Sequence, residues 1–173
     1  TSVLDEFGND VTSLIVGALL HDVGYICNMG KTVGKHRKEM SAVELQMFER
    51  HIEDGLGKIK QYTDNQIIID ILAMHHEYID GSGFPNGLKG DEIPPYVKLV
   101  SIANAFVSYL SRTQSQGLEI SETISRLRDI LTDECYNGRY DLDMVVHFFD
   151  NLTNTFSPLE PILAYMTTFN KEI

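Results

Sequence analysis

Residues 64–87 read DNQIIIDILAMHHEYIDGSGFPNG, and this stretch decides the fold class. Ile67, Ile68, Ile71, Leu72 and Met74 recur at the three- and four-residue steps of a helix, which opens near Asp64 and reaches His75-His76. The run Asp80-Gly81-Ser82-Gly83-Phe84-Pro85-Asn86-Gly87 then breaks it, since glycines free to take positive φ and a bend-fixing proline belong to a loop. The same period returns on both sides. Upstream, Leu14, Ile15, Ala18 and Leu19 form an apolar face that runs into His21-Asp22 and stops near Gly24, with a loop expected over 27–40. Ser41-Ala42-Val43-Glu44 is a capping box, and Leu45, Phe48, Ile52, Leu56 and Ile59 continue that helix with His51 on it. Gly55 and Gly57 are points where it would bend or end. Downstream, Pro94 and Pro95 open a helix bearing Val97, Val100, Ile102, Ala103, Phe106, Val107 and Leu110. A last helical pair is expected over 121–131 and 141–152. No segment alternates with strand period, and the expected class is all-α.

The 173 residues carry 25 acidic and 14 basic side chains, a formal net charge of −11. Such an acidic chain is a poor general binder of DNA or RNA, because phosphate neutralisation needs a basic surface. A small phosphate ligand stays open to it if metal ions supply local positive charge. The hydrophobic fraction of 43% is that of a globular chain. No apolar run approaches the roughly 18 residues of a membrane span, so no membrane contact is expected. Cys27 and Cys135 are too few for a disulfide framework, and a cytoplasmic compartment is the expectation. The chain opens at Thr1 without methionine, as a fragment of a longer protein would.

His21, Asp22, His51, His75 and His76 lie at or near the ends of helices whose apolar faces pack together. Imidazole with carboxylate suits iron, manganese or zinc, whereas magnesium and calcium prefer all-oxygen shells. Neighbours on a helix point about 100° apart, so both members of His21-Asp22 or His75-His76 reach one site only where a helix is ending. Each doublet is followed closely by glycine. A lone histidine is more commonly a packed residue than a ligand; two helix-end doublets plus a third histidine make coincidence harder to sustain. His36 and His147 are read as non-ligands, with His147 between Val146 and Phe148 as a packing residue.

Asp22 and Glu77 are candidate catalytic carboxylates. Glu77 either orients a ligand histidine or is a surface charge at a helix end. Lys31, Lys35, His36, Arg37 and Lys38 make a cationic segment that is either a lid meeting substrate phosphates or a solvated loop. Gly30-Lys31-Thr32-Val33-Gly34-Lys35-His36 imitates a P-loop but has three residues between its glycines and histidine in place of Ser or Thr.

His21-Asp22, His75-His76-Glu77 and the segment from Asp80 to Pro94, with its Asp-Gly-x-Gly-aromatic-Pro and Gly-Leu-x-Gly-x-x-Ile-Pro patterns, together resemble the HD-GYP family, a branch of the HD-domain phosphohydrolases. The likeness runs from about Leu14 to Arg112, and Tyr140-Asp141 extends it. It implies a helical HD-domain bundle over 1–116, with C-terminal helices over 117–173 packed on it. It implies two divalent metal ions, iron or manganese, and hydrolysis of cyclic di-GMP to pGpG or GMP in bacterial signalling. GGDEF-type proteins are the implied partners, and a homodimer is compatible with it. Carried over by position, the metal ligands are His21, Asp22, His51, His75, His76 and, in place of the family's aspartate, Asn104. The resemblance adds Asp80 to the candidate catalytic carboxylates. The implied substrate contacts are Gly83, Phe84, Pro85, Lys98 and Arg112, to which the cationic segment adds Lys31 and Lys35. The sequence departs from the family at Asn104, at Tyr25 for a lysine, at Phe84 for a tyrosine, at Lys98 for an arginine and at Val107 for an aspartate. A module of this family that binds nucleotide or docks a protein without hydrolysis is the alternative reading.

Overall fold

The computed structural model describes residues 10–27, 37–113 and 120–156. Within them lie six α-helices: α1 (Val11–Leu20), α2 (Ala42–Ile59), α3 (Gln66–Met74), α4 (Pro95–Thr113), α5 (Ile120–Tyr136) and α6 (Leu142–Phe156). Short 3-10 turns span Val23–Cys27, Arg37–Glu39 and Gly90–Glu92. No strand occurs among the described residues; one antiparallel bridge pairs Asp80 with Lys89. The fold is all-α, as the hydrophobic period predicts.

Local chemistry sets the helix ends. The Glu44 amide donates to Ser41 Oγ (3.3 Å) and the Ser41 amide to Glu44 Oε2 (2.9 Å), the reciprocal pair of a capping box. Asn65 caps α3 by accepting the Ile68 amide at 3.3 Å, one residue later than the expected opening at Asp64. Pro95 starts α4. Gly55 and Gly57 do not end α2, which continues to Ile59. Gly55 is instead buried where α2 meets the turn after α1, and a Cβ there would lie 3.3 Å from the Gly24 amide nitrogen.

The chain divides into two units, one up to Ser101 and one from Ile102. In the first, Leu14, Ile71, Ile93, Val97 and Val100 form a buried cluster flanked by Ala18, Ile67, Met74 and Leu88. A second cluster joins Ile59, Ile68 and Leu72 to Val16, Leu20, Val23 and Leu56. Truncating a residue as buried as Ile71 to alanine costs about 2–5 kcal/mol. α1 does not bury the whole face expected of it: Leu14 is buried, but Ile15 and Leu19 are exposed. The stripe that meets α3 runs through Leu14, Gly17 and Ala18, with Gly17 close against Ile71, and Ile15 and Leu19 fall about one residue step around the helix.

In the second unit α5 packs on α6, with Leu127, Leu131, Val145 and Phe149 buried and Phe106, Phe148 and Phe149 meeting edge to face. Both helices run longer than expected from sequence. Val107 is exposed. His147 is exposed as well, not packed in a core, because the α6 face that carries Val145 and Phe149 points away from it. No helix among the described residues is long and apolar enough to cross a membrane.

Candidate metal centre

Both histidine doublets stand where a helix ends. α1 stops at Leu20 with His21 as its C-cap, and α3 stops at Met74 with His75 as its C-cap. The change of backbone direction there lets consecutive side chains turn to one point. His51 comes from the middle of α2 and is fully buried. It is brought in by Gly24, whose missing side chain lets the turn after Asp22 rest on the His51 carbonyl; any Cβ at Gly24 would overlap that oxygen.

Asp22, His51, His75 and His76 each offer a ligand atom, and these four atoms lie within 4.8 Å of one another. His51 Nε2 is 3.3 Å from His75 Nε2, and Asp22 Oδ1 is 3.4 Å from the first and 3.5 Å from the second. His21 Nε2 joins at 3.1 Å from Asp22 Oδ2. The tautomers follow from the backbone. His21 Nδ1 donates to the Ala18 carbonyl (2.7 Å), His51 Nδ1 to the Phe48 carbonyl, and His75 Nδ1 to those of Ile71 (3.1 Å) and Leu72 (3.2 Å). A carbonyl only accepts, so the proton of each neutral ring sits on Nδ1, and Nε2 presents a lone pair to the cluster. The Ser101 hydroxyl donates to the His75 carbonyl at 2.8 Å and fixes that helix end further.

Converging lone pairs and a carboxylate repel one another unless a positive charge lies between them. Asp22 Oδ1 and His76 Nε2 are buried with no hydrogen-bond partner, the condition of atoms built to ligate. Burial alone would raise the Asp22 pKa, but the imidazoles of His21 and His75, when they carry positive charge and donate to it, outweigh this and hold it well below the carboxylate range, a part that falls to a cation where the rings are neutral. Burial lowers the pKa of His51, and that of His76 further with help from the neighbouring imidazoles. The set thus pairs an ionised carboxylate with imidazole nitrogens, those of His51 and His76 held neutral, which fits a first-row transition-metal ion better than magnesium or calcium.

Three aromatic rings surround the donors. Tyr25 stacks on His51 (centroids 4.2 Å apart, 11° between planes) and Phe84 on His76 (4.5 Å, 20°), while Phe48 lies 5.6 Å from His51 and 5.4 Å from His76. Burial and the Asp22 charge push the Tyr25 phenol far up, so it stays neutral. Phe48 read as a core residue of α2; that its carbonyl and ring both serve His51 has no signal beyond its position one turn earlier.

The loop after His76 is tied down by Glu77, which is 2% exposed. Its Oε1 accepts the Asn86 amide at 2.7 Å and its Oε2 the Leu88 amide at 3.0 Å. Glu77 is therefore not a surface charge, and its oxygens are spent on the loop backbone. Asp80 is exposed and its Oδ1 accepts the Ser82 amide at 2.8 Å. Gly83 lies so close to the backbone of residues 76–78 that a Cβ would sit 2.5 Å from Glu77 Cα and 2.6 Å from the His76 carbonyl oxygen. Phe84 donates its amide to that same carbonyl (3.2 Å) and is buried, whereas Pro85, after a cis peptide bond, is exposed. Gly83→Ala is expected to cost about 1–3 kcal/mol by overpacking and to lift Phe84 from His76. A lowered melting midpoint with changed histidine ring chemical shifts is the expected result, and an unaltered spectrum counts against the packing described.

Of the other expected site residues, Lys98 is half-buried on α4 in the first unit, and Asn104 is half-buried on α4 in the second. Arg112 is on α4, with its side chain outside the description, and Lys31, Lys35 and His36 lie outside the described residues. Cys135, half-buried, has its thiol pKa pushed up to about 11 by burial and the charges of Asp141 and Glu134, as befits an inert thiol.

A family model described as the HD domain matches residues 4–141. The 3'3'-cGAMP-specific phosphodiesterase 1 of Vibrio cholerae serotype O1 is 26% identical over 129 residues, 75% of this chain and 29% of that protein. A cyclic di-GMP phosphodiesterase of Thermotoga maritima is 29% identical over 129 residues, 73% of this chain and 35% of that protein. Among solved structures, Bd1817, a HDG"Y"P protein from Bdellovibrio bacteriovorus, superposes with a TM-score of 0.62 at 29% identity, over 81% of this chain and 43% of that one. The chain thus spans about a third of the length of these curated relatives. With its helix-end doublets, its loop and these relatives, the chain belongs to the HD-domain family, on its HD-GYP branch.

Proposed function

We propose that this chain is a metal-dependent phosphodiesterase that opens cyclic di-GMP to pGpG or GMP in bacterial second-messenger signalling. The observation that carries the reading is the set of Asp22, His51, His75 and His76, in which Asp22 Oδ1 and His76 Nε2 are buried without hydrogen-bond partners. Relatives named as cyclic dinucleotide phosphodiesterases supply the substrate class. His21, Asp22, His51, His75 and His76 would hold two divalent ions, iron or manganese. Such ions supply an acidified water and offset charge growing on the attacked phosphate. The residues themselves do the rest. Asp22 stays ionised, His51 and His76 stay neutral, and the carbonyls of Ala18, Phe48 and Ile71 keep three Nε2 atoms turned inward. Tyr25, Phe48 and Phe84 wall the donors with low-dielectric rings, which strengthens each electrostatic contact within. GGDEF-type proteins are the proposed partners, and the cytoplasm the proposed compartment.

The second reading, a nucleotide receptor or docking module, is favoured by one observation: Tyr25 covers His51 with an uncharged ring where the family pattern has a lysine. Asn104, in the place of an aspartate, points the same way. Chromatography of cyclic di-GMP and 3'3'-cGAMP after incubation with manganese-loaded protein separates the two readings. Linear product from cyclic di-GMP supports the enzyme, and intact nucleotide on fully loaded protein contradicts it. Asn104→Asp is expected to raise turnover about tenfold if the lost carboxylate is what limits the centre.

A further inference from the structure

The cationic segment singled out in the sequence leaves one described side chain beside the donors. Arg37, on the turn before α2, places its guanidinium carbon 4.8 Å from the centroid of Phe84, the ring that stacks on His76. Its Nη2 is 2.5 Å from Glu49 Oε1 on the outward side of α2. Arg37 is thus held by a ring and a carboxylate at the edge of the aromatic wall, with its charge exposed.

We propose that Arg37 binds the second phosphate of the substrate, the one not attacked at the donor set, and that Glu49 is its stand-in partner when no substrate is bound. This rests on the phosphodiesterase reading, because it requires a ligand with two phosphates. A cyclic dinucleotide carries two phosphodiesters on one ring. Only one of them reaches the donors, and the other needs a counter-charge that a protein of net charge −11 provides sparingly. The guanidinium fork matches two phosphate oxygens at once, and its stack on Phe84 keeps the plane pre-oriented. The side chains of Arg37 and Glu49 are 45% and 38% exposed, so their ion pair is screened by solvent and a phosphate can displace the carboxylate.

The test measures KM and kcat for cyclic di-GMP, by chromatography of initial rates, on manganese-loaded wild-type, Arg37→Gln, Arg37→Lys and Glu49→Gln proteins. Hydrolysis of a bis-nitrophenyl phosphodiester, which has a single phosphate, is followed in parallel. Arg37→Gln is expected to raise KM for cyclic di-GMP about tenfold more than it slows the single-phosphate probe, Arg37→Lys to recover part of the loss, and Glu49→Gln to lower KM about two- to threefold. Equal losses on both probes, or no change in KM, overturn the assignment while leaving the metal-centre reading intact. Wild-type protein that cleaves the single-phosphate probe yet does not cleave cyclic di-GMP overturns the substrate reading, and the Arg37 assignment falls with it.

Discussion

Asp22→Asn is expected to strip the centre of metal while leaving the helices in place. Asp22 is the only carboxylate among the four clustered donors, and both of its oxygens are committed: Oδ1 to the gap between His51 and His75, Oδ2 to His21. The amide keeps the shape and one oxygen but loses the charge that makes three imidazoles and a carboxylate a cation site. Metal affinity should fall at least about 100-fold, beyond the loss typical of an outer hydrogen-bond partner. Hydrolysis should fall with it. The helical circular-dichroism signal should be unchanged, because the apolar clusters around Ile71 and Leu72 do not depend on Asp22. Metal content equal to wild type, by elemental analysis after desalting, contradicts the assigned ligand set.

Glu77→Ala is expected to be the most damaging single truncation outside the apolar core. It takes the acceptors from the amides of Asn86 and Leu88, which are only partly shielded from water, at about 1 kcal/mol each, and empties the buried space of the Glu77 side chain, so the melting midpoint falls by on the order of 10 °C. Glu77→Gln should do about half of this, since a carboxamide accepts one amide and turns a donor toward the other. The consequence reaches the centre through Phe84, which the same loop seats on His76. Hydrogen exchange at Asn86 and Leu88 should speed up before exchange elsewhere in the first unit. Unchanged protection of those two amides would refute the pinning role.

The sequence made the helices legible because each buries a stripe of fixed period; Leu14, Ile71, Leu72 and Val97 are where periodicity puts them. It also made the donors legible, because a doublet on one helix reaches a common point only at a terminus, and His21 and His75 are both C-caps. Less was legible where contacts are long-range and made by backbone. Nothing about Glu77 announces that its oxygens meet amides nine and eleven residues on, and periodicity alone read Ile15 and Leu19 as buried. The stack of Tyr25 on His51 was equally hidden, since it needs the close approach that Gly24 permits. Glycines mark such approaches, but their partner is named only by the fold.

The most direct measurement is the metal content of the wild-type chain, loaded with iron or manganese in the absence of oxygen, desalted and analysed beside Asp22→Asn. A stoichiometric amount of metal on wild type and none on the variant is the result predicted here. Wild-type protein that retains no metal under these conditions would contradict the centre, and with it the phosphodiesterase reading built on Asp22, His51, His75 and His76.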